Sequence, residues 1–389
     1  MKKIVIAFCG ILIGLLIGYF FDNYIQYNAI NNKSVPQILN SPLPLPKKDV
    51  IGFLPYWLLN KASTNYSKYL TTLSYFGLVV DPDGNIQKLA NPQEEEPGWY
   101  ALRSGRLDEF FNTAKANNQK LSIVAFSGEN TAIDLLVSNP VEHARNLAGD
   151  IIPIMKQYGF TDLNLDVECT KEASDSARLN FTEFVKELKQ NLDQYNNYTL
   201  SVDVSSGDFI KKDLIDPIEV SKIADKIIIM AYDYHFIGSL VSGPVAPLYG
   251  AGTISEYDTN AAVKNALINI PPDKIILGIP LYGYEWETIG NTARSATIPG
   301  TGITASNARV EDLISSCKDC LIQTESDARE SYVIYKDPDT GTYHQIFYPD
   351  RKSTSIKLNY ANDLHLGGVA LWALGYEGKT ILEVLQNYK

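Results

Sequence analysis

From residue 49 onward the chain alternates short apolar, β-branched and aromatic runs with segments whose apolar positions recur at helical spacing. The runs are VIGFLPYW, TLSYFGLVV, LSIVAFSG, TDLNLDVE, YTLSVDVSS, KIIIMAYDY, KIILGIPLYG and LGGVALWAL. Between them, Leu107, Phe110, Phe111 and Ala114 share one helical face, as do Phe181, Phe184, Val185, Leu188 and Leu192. Eight strands alternating with helices predict an α/β fold, a closed parallel (β/α)8 or TIM barrel. The rival, an open doubly wound sheet, would carry a Gly-rich phosphate loop after its first strand, where GFLPYWLLN stands instead. The interval between the seventh and eighth runs is too long for one helix. Its stretch SYVIYKDPDTGTYHQIFYPD reads as a hairpin turning at Asp337–Gly341 and predicts a small α+β insertion over about residues 288–353.

The fourth run breaks the apolar rule on one side only. In GFTDLNLDVECT, Asn164, Asp166 and Glu168 alternate with Leu163, Leu165 and Val167, so a strand here turns two carboxyls and an amide to one face. An unpaired buried charge is costly, so that face is wet, paired or catalytic. A solvent-facing edge strand would also satisfy the pattern. In a barrel, however, Asp166 and Glu168 stand at the C-terminal end of the fourth strand, where active sites lie. Met230, Tyr232 and Asp233 lie in the sixth run, the seventh strand ends in Tyr282 and Trp286, the eighth run carries Trp372, and Tyr56 stands near the end of the first. Rings and carboxyls at strand ends suit a carbohydrate, whose flat apolar faces stack and whose hydroxyls need acceptors. Taken singly, Tyr282 and Trp372 fit core packing as well as a sugar platform.

Charge and cysteines narrow the class. With 45 acidic against 34 basic residues, a net charge of −11 and no long basic run, the chain is not built for nucleic acid. Lys2 and Lys3 precede a charge-free apolar stretch, Ile4–Phe21. Residues 1–22 therefore predict a transmembrane anchor with its positive end inside, and a cleaved signal sequence is the alternative. Residues 23–47, rich in Asn, Ser and Pro, read as a linker, leaving 48–389 as the catalytic barrel. The expected location is the cell membrane, single-pass, with the barrel outside the cytoplasm, or secretion if the leader is cleaved. Cys317 and Cys320 form a lone C-x-x-C, and His143, His235, His344 and His365 are scattered. A small disulfide loop is expected there rather than a metal.

Four motifs in order carry a resemblance to glycoside hydrolase family 18, the chitinase family. FTDLNLDVE resembles its D-G-x-D-x-D-x-E signature, MAYD its M-x-Y-D, and GIPLYG its G-x-P-x-Y-G, while Trp372 matches its eighth-strand Trp. Thr161-Asp162 replaces the Asp-Gly pair, Asn164 replaces an acid, and Val167 stands where Trp is common. Asn164 is similar to the bacterial spore-cortex-lytic, or spore-germination N-acetylglucosaminidase, branch, whose signature reads D-G-V-N-I-D-F-E.

The resemblance implies a retaining hydrolase of β-1,4 bonds in N-acetylglucosamine polymers, peptidoglycan or chitin-like. The substrate's own acetamido oxygen would attack, so no cofactor is needed. It implies Glu168 as acid and base, Asp166 and Tyr232 on the acetamido group, and Asn164, Asp233, Met230, Tyr282, Trp372, Tyr56 and Trp286 as substrate contacts. With an amide at 164, Asp166 is expected to lack a second carboxyl to couple with and to stay ionised over the working pH range. The expected partners are the N-acetylated glycan and, through the leader, a membrane, with the barrel a monomer. A non-catalytic lectin on the same barrel is the competing function.

Overall fold

A computed structural model describes residues 48–195, 198–386 and 388. The strands are β1 (Asp49–Pro55), β2 (Thr72–Val79), β3 (Leu89–Asn91), β4 (Glu94–Glu95), β5 (Lys120–Ser127), β6 (Asp162–Val167), β7 (Thr199–Ser205) and β8 (Lys226–Met230). They continue as β9 (Ile275–Pro280), β10 (Tyr282–Thr288), β11 (Ile303–Ser306), β12 (Leu321–Glu325), β13 (Glu330–Lys336), β14 (Tyr343–Tyr348) and β15 (Gly368–Trp372). Every one of the eight apolar runs contains a barrel strand. In spatial order β1, β2, β5, β6, β7, β8, β9 and β15 close on themselves, and Asp49 pairs in parallel with Gly368 at the seam.

Outward side chains make the main core. Leu163, Leu165 and Val167 of β6 are buried beneath the helix Pro140–Tyr158, which buries Leu147, Ile151 and Met155, and the helix Asp175–Leu192, which buries Phe181, Phe184, Val185, Leu188 and Leu192. Ser174 caps the second of these helices by accepting from the Ala177 amide, and Gly159 ends the first at φ 78°, a left-handed conformation that favours glycine.

The lumen is divided. Ile51, Phe53, Phe76, Val124, Ile228, Ile276 and Ala370 fill one part with apolar side chains. Ser122, Asn164, Asp166, Ser201 and Asp203, from β5, β6 and β7, make the rest polar and buried.

Between β9 and β15 an antiparallel sheet runs in the order β11-β10-β14-β13-β12, with the helix Asn307–Ser316 beside it. It begins at Tyr282 rather than near residue 288, because β10 starts after a single intervening residue, Leu281, and the sequence run continues unbroken across the join. The β13–β14 hairpin turns at Asp337–Gly341, where Asp337 Oδ1 accepts from the amides of Asp339 and Thr340. Cys317 and Cys320 are joined by a disulfide with their Cα atoms 5.7 Å apart. The proposed anchor at residues 1–22 and the linker at 23–47 lie outside the described residues. Among the described residues no helix is long and apolar enough to cross a membrane.

Candidate active site

Strand β6 aims its polar side chains into the lumen: Asn164 is 1% and Asp166 3% exposed. Glu168 follows the strand's last residue, and its amide donates to the Ser127 carbonyl at 2.9 Å, extending the β5–β6 ladder to the mouth. Strand β7 repeats the alternation, with Ser201 and Asp203 inward and buried. Asn164 Nδ2 donates to Asp203 Oδ1 at 2.8 Å and to Ser201 Oγ at 3.1 Å. Lower in the lumen Asp162 accepts from Ser122 and Ser201, each at 2.8 Å, and from Thr199 at 2.6 Å. Three hydroxyls therefore satisfy Asp162, whereas Asp166 Oδ1 is buried without a hydrogen-bond partner.

Beyond β8 the backbone takes a left-handed turn at Asp233, φ 61°, which presents its carboxyl to the insertion sheet. Tyr282 and Tyr284 hydroxyls both donate to Asp233 Oδ1, at 2.5 and 3.0 Å. Trp372 closes the apolar side, edge-to-face with Phe76 at 4.9 Å and Phe53 at 5.8 Å between ring centroids.

These groups share a cleft of about 570 Å³, lined by Asp166, Glu168, Asp203, Met230, Tyr232, Asp233 and Trp372. It continues past Asp208 and Lys211, and Lys211 pairs with Glu256 at 2.7 Å. Burial, then the charges of Asp203 and Glu168, raise the Asp166 carboxyl well above the ordinary carboxylate range. Asp203 is raised likewise, chiefly by burial, against the opposing Asn164 hydrogen bond. Glu168 is open to solvent at the mouth but walled by protein elsewhere; that enclosure, with the charge of Asp233, raises its carboxyl too. Tyr232 is pushed far up by burial and by the surrounding acids, so its phenol keeps its proton. Each of these biases favours the protonated carboxyl over the anion, so the cluster is suited to holding a proton at the mouth.

The predicted set is therefore partly assembled and partly redistributed. Glu168, Asp166, Tyr232, Asp233, Met230 and Trp372 meet in the cleft. Asn164 lies beneath it and serves Asp203 rather than Asp166. The expectation that Asp166 lacks a second carboxyl is overturned, because Asp203 supplies one from the next strand, and burial with that neighbour biases Asp166 away from the ionised form expected of it. Tyr282 is buried behind Asp233 and orients it. Trp286 is fully buried in the insertion's core, its indole donating to the Phe236 carbonyl at 3.2 Å, so it is a packing residue. Tyr56 packs against the outer core, because a 3-10 turn at Tyr56–Leu58 interrupts the alternation after β1. Its neighbour Trp57, 47% exposed and 6.2 Å from the Trp372 ring, takes the place at the rim.

Asp203, Tyr284 and Trp57 were not anticipated. For Asp203 the signal was present: Thr199, Ser201, Asp203 and Ser205 alternate as plainly as the polar set of β6. No group of three or more His, Cys, Asp or Glu among the described residues is placed to hold a metal.

The model of the glycosyl hydrolases family 18 matches residues 49–377. A cortical fragment-lytic enzyme of Bacillus subtilis (strain 168) is 23% identical over 331 residues, 82% of this chain and 67% of that protein. Among solved structures, the Group IV chitinase of Ostrinia furnacalis superposes with a TM-score of 0.75 at 20% identity, covering 88% of this chain and 99% of that one. The Bacillus cereus spore cortex-lytic enzyme SleL gives a TM-score of 0.68 at 18% identity, covering 88% and 75%. At those identities the two structures speak to the fold.

Proposed function

Because the chain belongs to the glycosyl hydrolases of family 18, we propose that its cleft cuts the β-1,4 bond after an N-acetylglucosamine unit in peptidoglycan or a chitin-like polymer, with retention. The nucleophile is the substrate's own 2-acetamido oxygen. Glu168 carries the reading: it is the acid placed at the open mouth, and its raised carboxyl is biased toward holding a proton. It protonates the leaving glycosidic oxygen and, in the second half-reaction, takes a proton from the attacking water. Asp166 accepts from the acetamido N–H and stabilises the positive charge that develops as the ring closes. Tyr232, with its phenol protonated, donates to the acetamido oxygen and aligns it for attack. Asp233, held by Tyr282 and Tyr284, contacts the distorted sugar. Trp372 offers the face on which that sugar stacks.

The names of the cortical fragment-lytic enzyme and the spore cortex-lytic enzyme SleL point to a spore-cortex polymer, which we read as peptidoglycan, and that of the Ostrinia chitinase to chitin. A sugar-binding barrel without activity would have no use for an acid at position 168. We propose also that residues 1–22 anchor the barrel outside the cytoplasm, on the strength of Lys2, Lys3 and the apolar stretch after them. Protease digestion of intact cells should then remove the barrel, and its protection would argue against the anchor.

Purified peptidoglycan and chitin oligomers incubated with the protein should give N-acetylglucosamine-terminated products by mass. De-N-acetylated polymer should stay intact, and a thiazoline mimic of the cyclised intermediate should inhibit. Cleavage of the deacetylated polymer at a similar rate would point to a protein nucleophile instead.

A further inference from the structure

The β6 and β7 strands run in parallel with Asn164 opposite Ser201 and Leu165 opposite Val202. The next inward position on each strand is Asp166 and Asp203, side by side in one layer of the lumen. Both are buried, at 3% and 4% exposure. Asn164 spends its amide nitrogen on Asp203 and Ser201, leaving nothing from that nitrogen for Asp166. The groups around Asp203 are Asp162 and Asp166 from β6, Glu168 just after it, and Tyr232 and Asp233 beyond β8, while the cation lining the same cleft, Lys211, is paired with Glu256. Two carboxyls buried together without a cation resist joint ionisation.

We propose that Asp203 is the proton-holding partner of Asp166, supplying from β7 the second carboxyl that Asn164 withholds on β6. The pair keeps one proton between its two carboxyls. When positive charge develops beside Asp166 the proton rests on Asp203, leaving Asp166 anionic where the anion is needed. Asp203 is thus a positioning residue that acts through Asp166, and the inference rests on the role given above to Asp166.

The test is carboxyl titration by carbon-13 NMR of aspartate-labelled full-length protein, which needs no turnover, together with kcat against pH on an N-acetylated glycan. In the native protein Asp166 and Asp203 should titrate as a linked pair with widely separated steps. In Asp203→Asn the upper step should vanish and Asp166 should move down, because a like charge has been removed. The value of kcat should fall about 10- to 100-fold, less than the roughly 10²- to 10⁴-fold of a group that itself transfers the proton. The exchange Asn164→Asp with Asp203→Asn returns an acid to the pair, and should restore both the two-step titration and most of kcat. An Asp166 titration unmoved by Asp203→Asn would reduce Asp203 to a hydrogen-bond acceptor for Asn164 and overturn the proposal. If Asp203→Asn does not fold, Asp166→Asn decides from the other side: Asp203 should lose its linked step and move down, and an unmoved Asp203 carboxyl overturns the proposal. An inactive native protein would sink the proposed hydrolysis, yet the titration would still judge the pair.

Discussion

Carboxylates buried in two regions of the molecule are treated in opposite ways. Where the insertion sheet meets the barrel's last helix, Arg351–Asp363, Glu330 is fully buried and fully answered. The amides of Val245 and Ala246 donate to its two oxygens at 2.6 and 2.9 Å, and Lys357, also buried, stands at 3.5 Å. At the mouth, Asp166, Asp203 and Glu168 are raised by burial and by neighbouring acids, Asp162 and Asp233 included, relieved by a single amide hydrogen bond at Asp203. The first arrangement ties three chain segments together. The second keeps carboxyls unneutralised at a cost to stability, and a fold retains such an expense where substrate or a transferable proton supplies the missing partner.

The contrast breaks most visibly in catalysis. Glu168→Gln keeps the shape of the mouth and removes the proton, so kcat should fall by about 10²- to 10⁴-fold or more while the thermal midpoint holds or rises. Steady-state kinetics beside a melting curve checks both halves. Next in size, Glu330→Ala strands Lys357 in the interior and should cost about 3–5 kcal/mol in urea denaturation. Replacing Glu330 and Lys357 together with methionines should recover only the part due to the stranded Lys357, because the Val245 and Ala246 amides stay unpaired, whereas Asp166→Asn should be neutral or stabilising. A destabilising Asp166→Asn would erase the distinction between the two regions.

Asp162 sharpens the comparison, since burial raises its carboxyl to about 6 even with three hydroxyl donors. A carboxyl raised above its unfolded value favours the native state while protonated. Its contribution is therefore complete below about pH 4 and lost as pH climbs through about 6. Asp162→Asn should flatten that slope, gaining at most about 3 kcal/mol over the native protein at pH 7 and nothing at pH 4. Urea midpoints at the two pH values decide it. The smallest effect belongs to the disulfide: its short loop limits the loss in Cys317→Ser with Cys320→Ser to about 2 kcal/mol, with activity unchanged.

The barrel was legible because its strands advertise themselves. A strand apolar on its outer face has period two, and eight of them separated by helical patterns leave few topologies open. The acids of β6 were legible for the same reason, as exceptions confined to one face. What escaped notice depends on chain neighbours meeting in space. Asp203 had the right alternation, but its meaning comes from lying beside Asp166, which a strand read alone does not reveal. Tyr56 and Trp57 exchanged places because a 3-10 turn ended the period at Pro55. The start of the insertion was hidden by an apolar run that continues from β9 into β10, and Trp286 was assigned to the cleft as a result.

That short join has a consequence for how such a barrel can diversify. Tyr282 and Tyr284, which hold Asp233, belong to the insertion and not to the barrel. A recombination event or an engineered graft spanning residues 282–348 would carry both hydroxyls with it. The ornament on the rim and the sugar-facing acid would then be inherited together. Trimming the insertion to a bare loop would set Asp233 free on its left-handed turn, so a minimal version of this barrel would have to be redesigned at the site and not only at the edge.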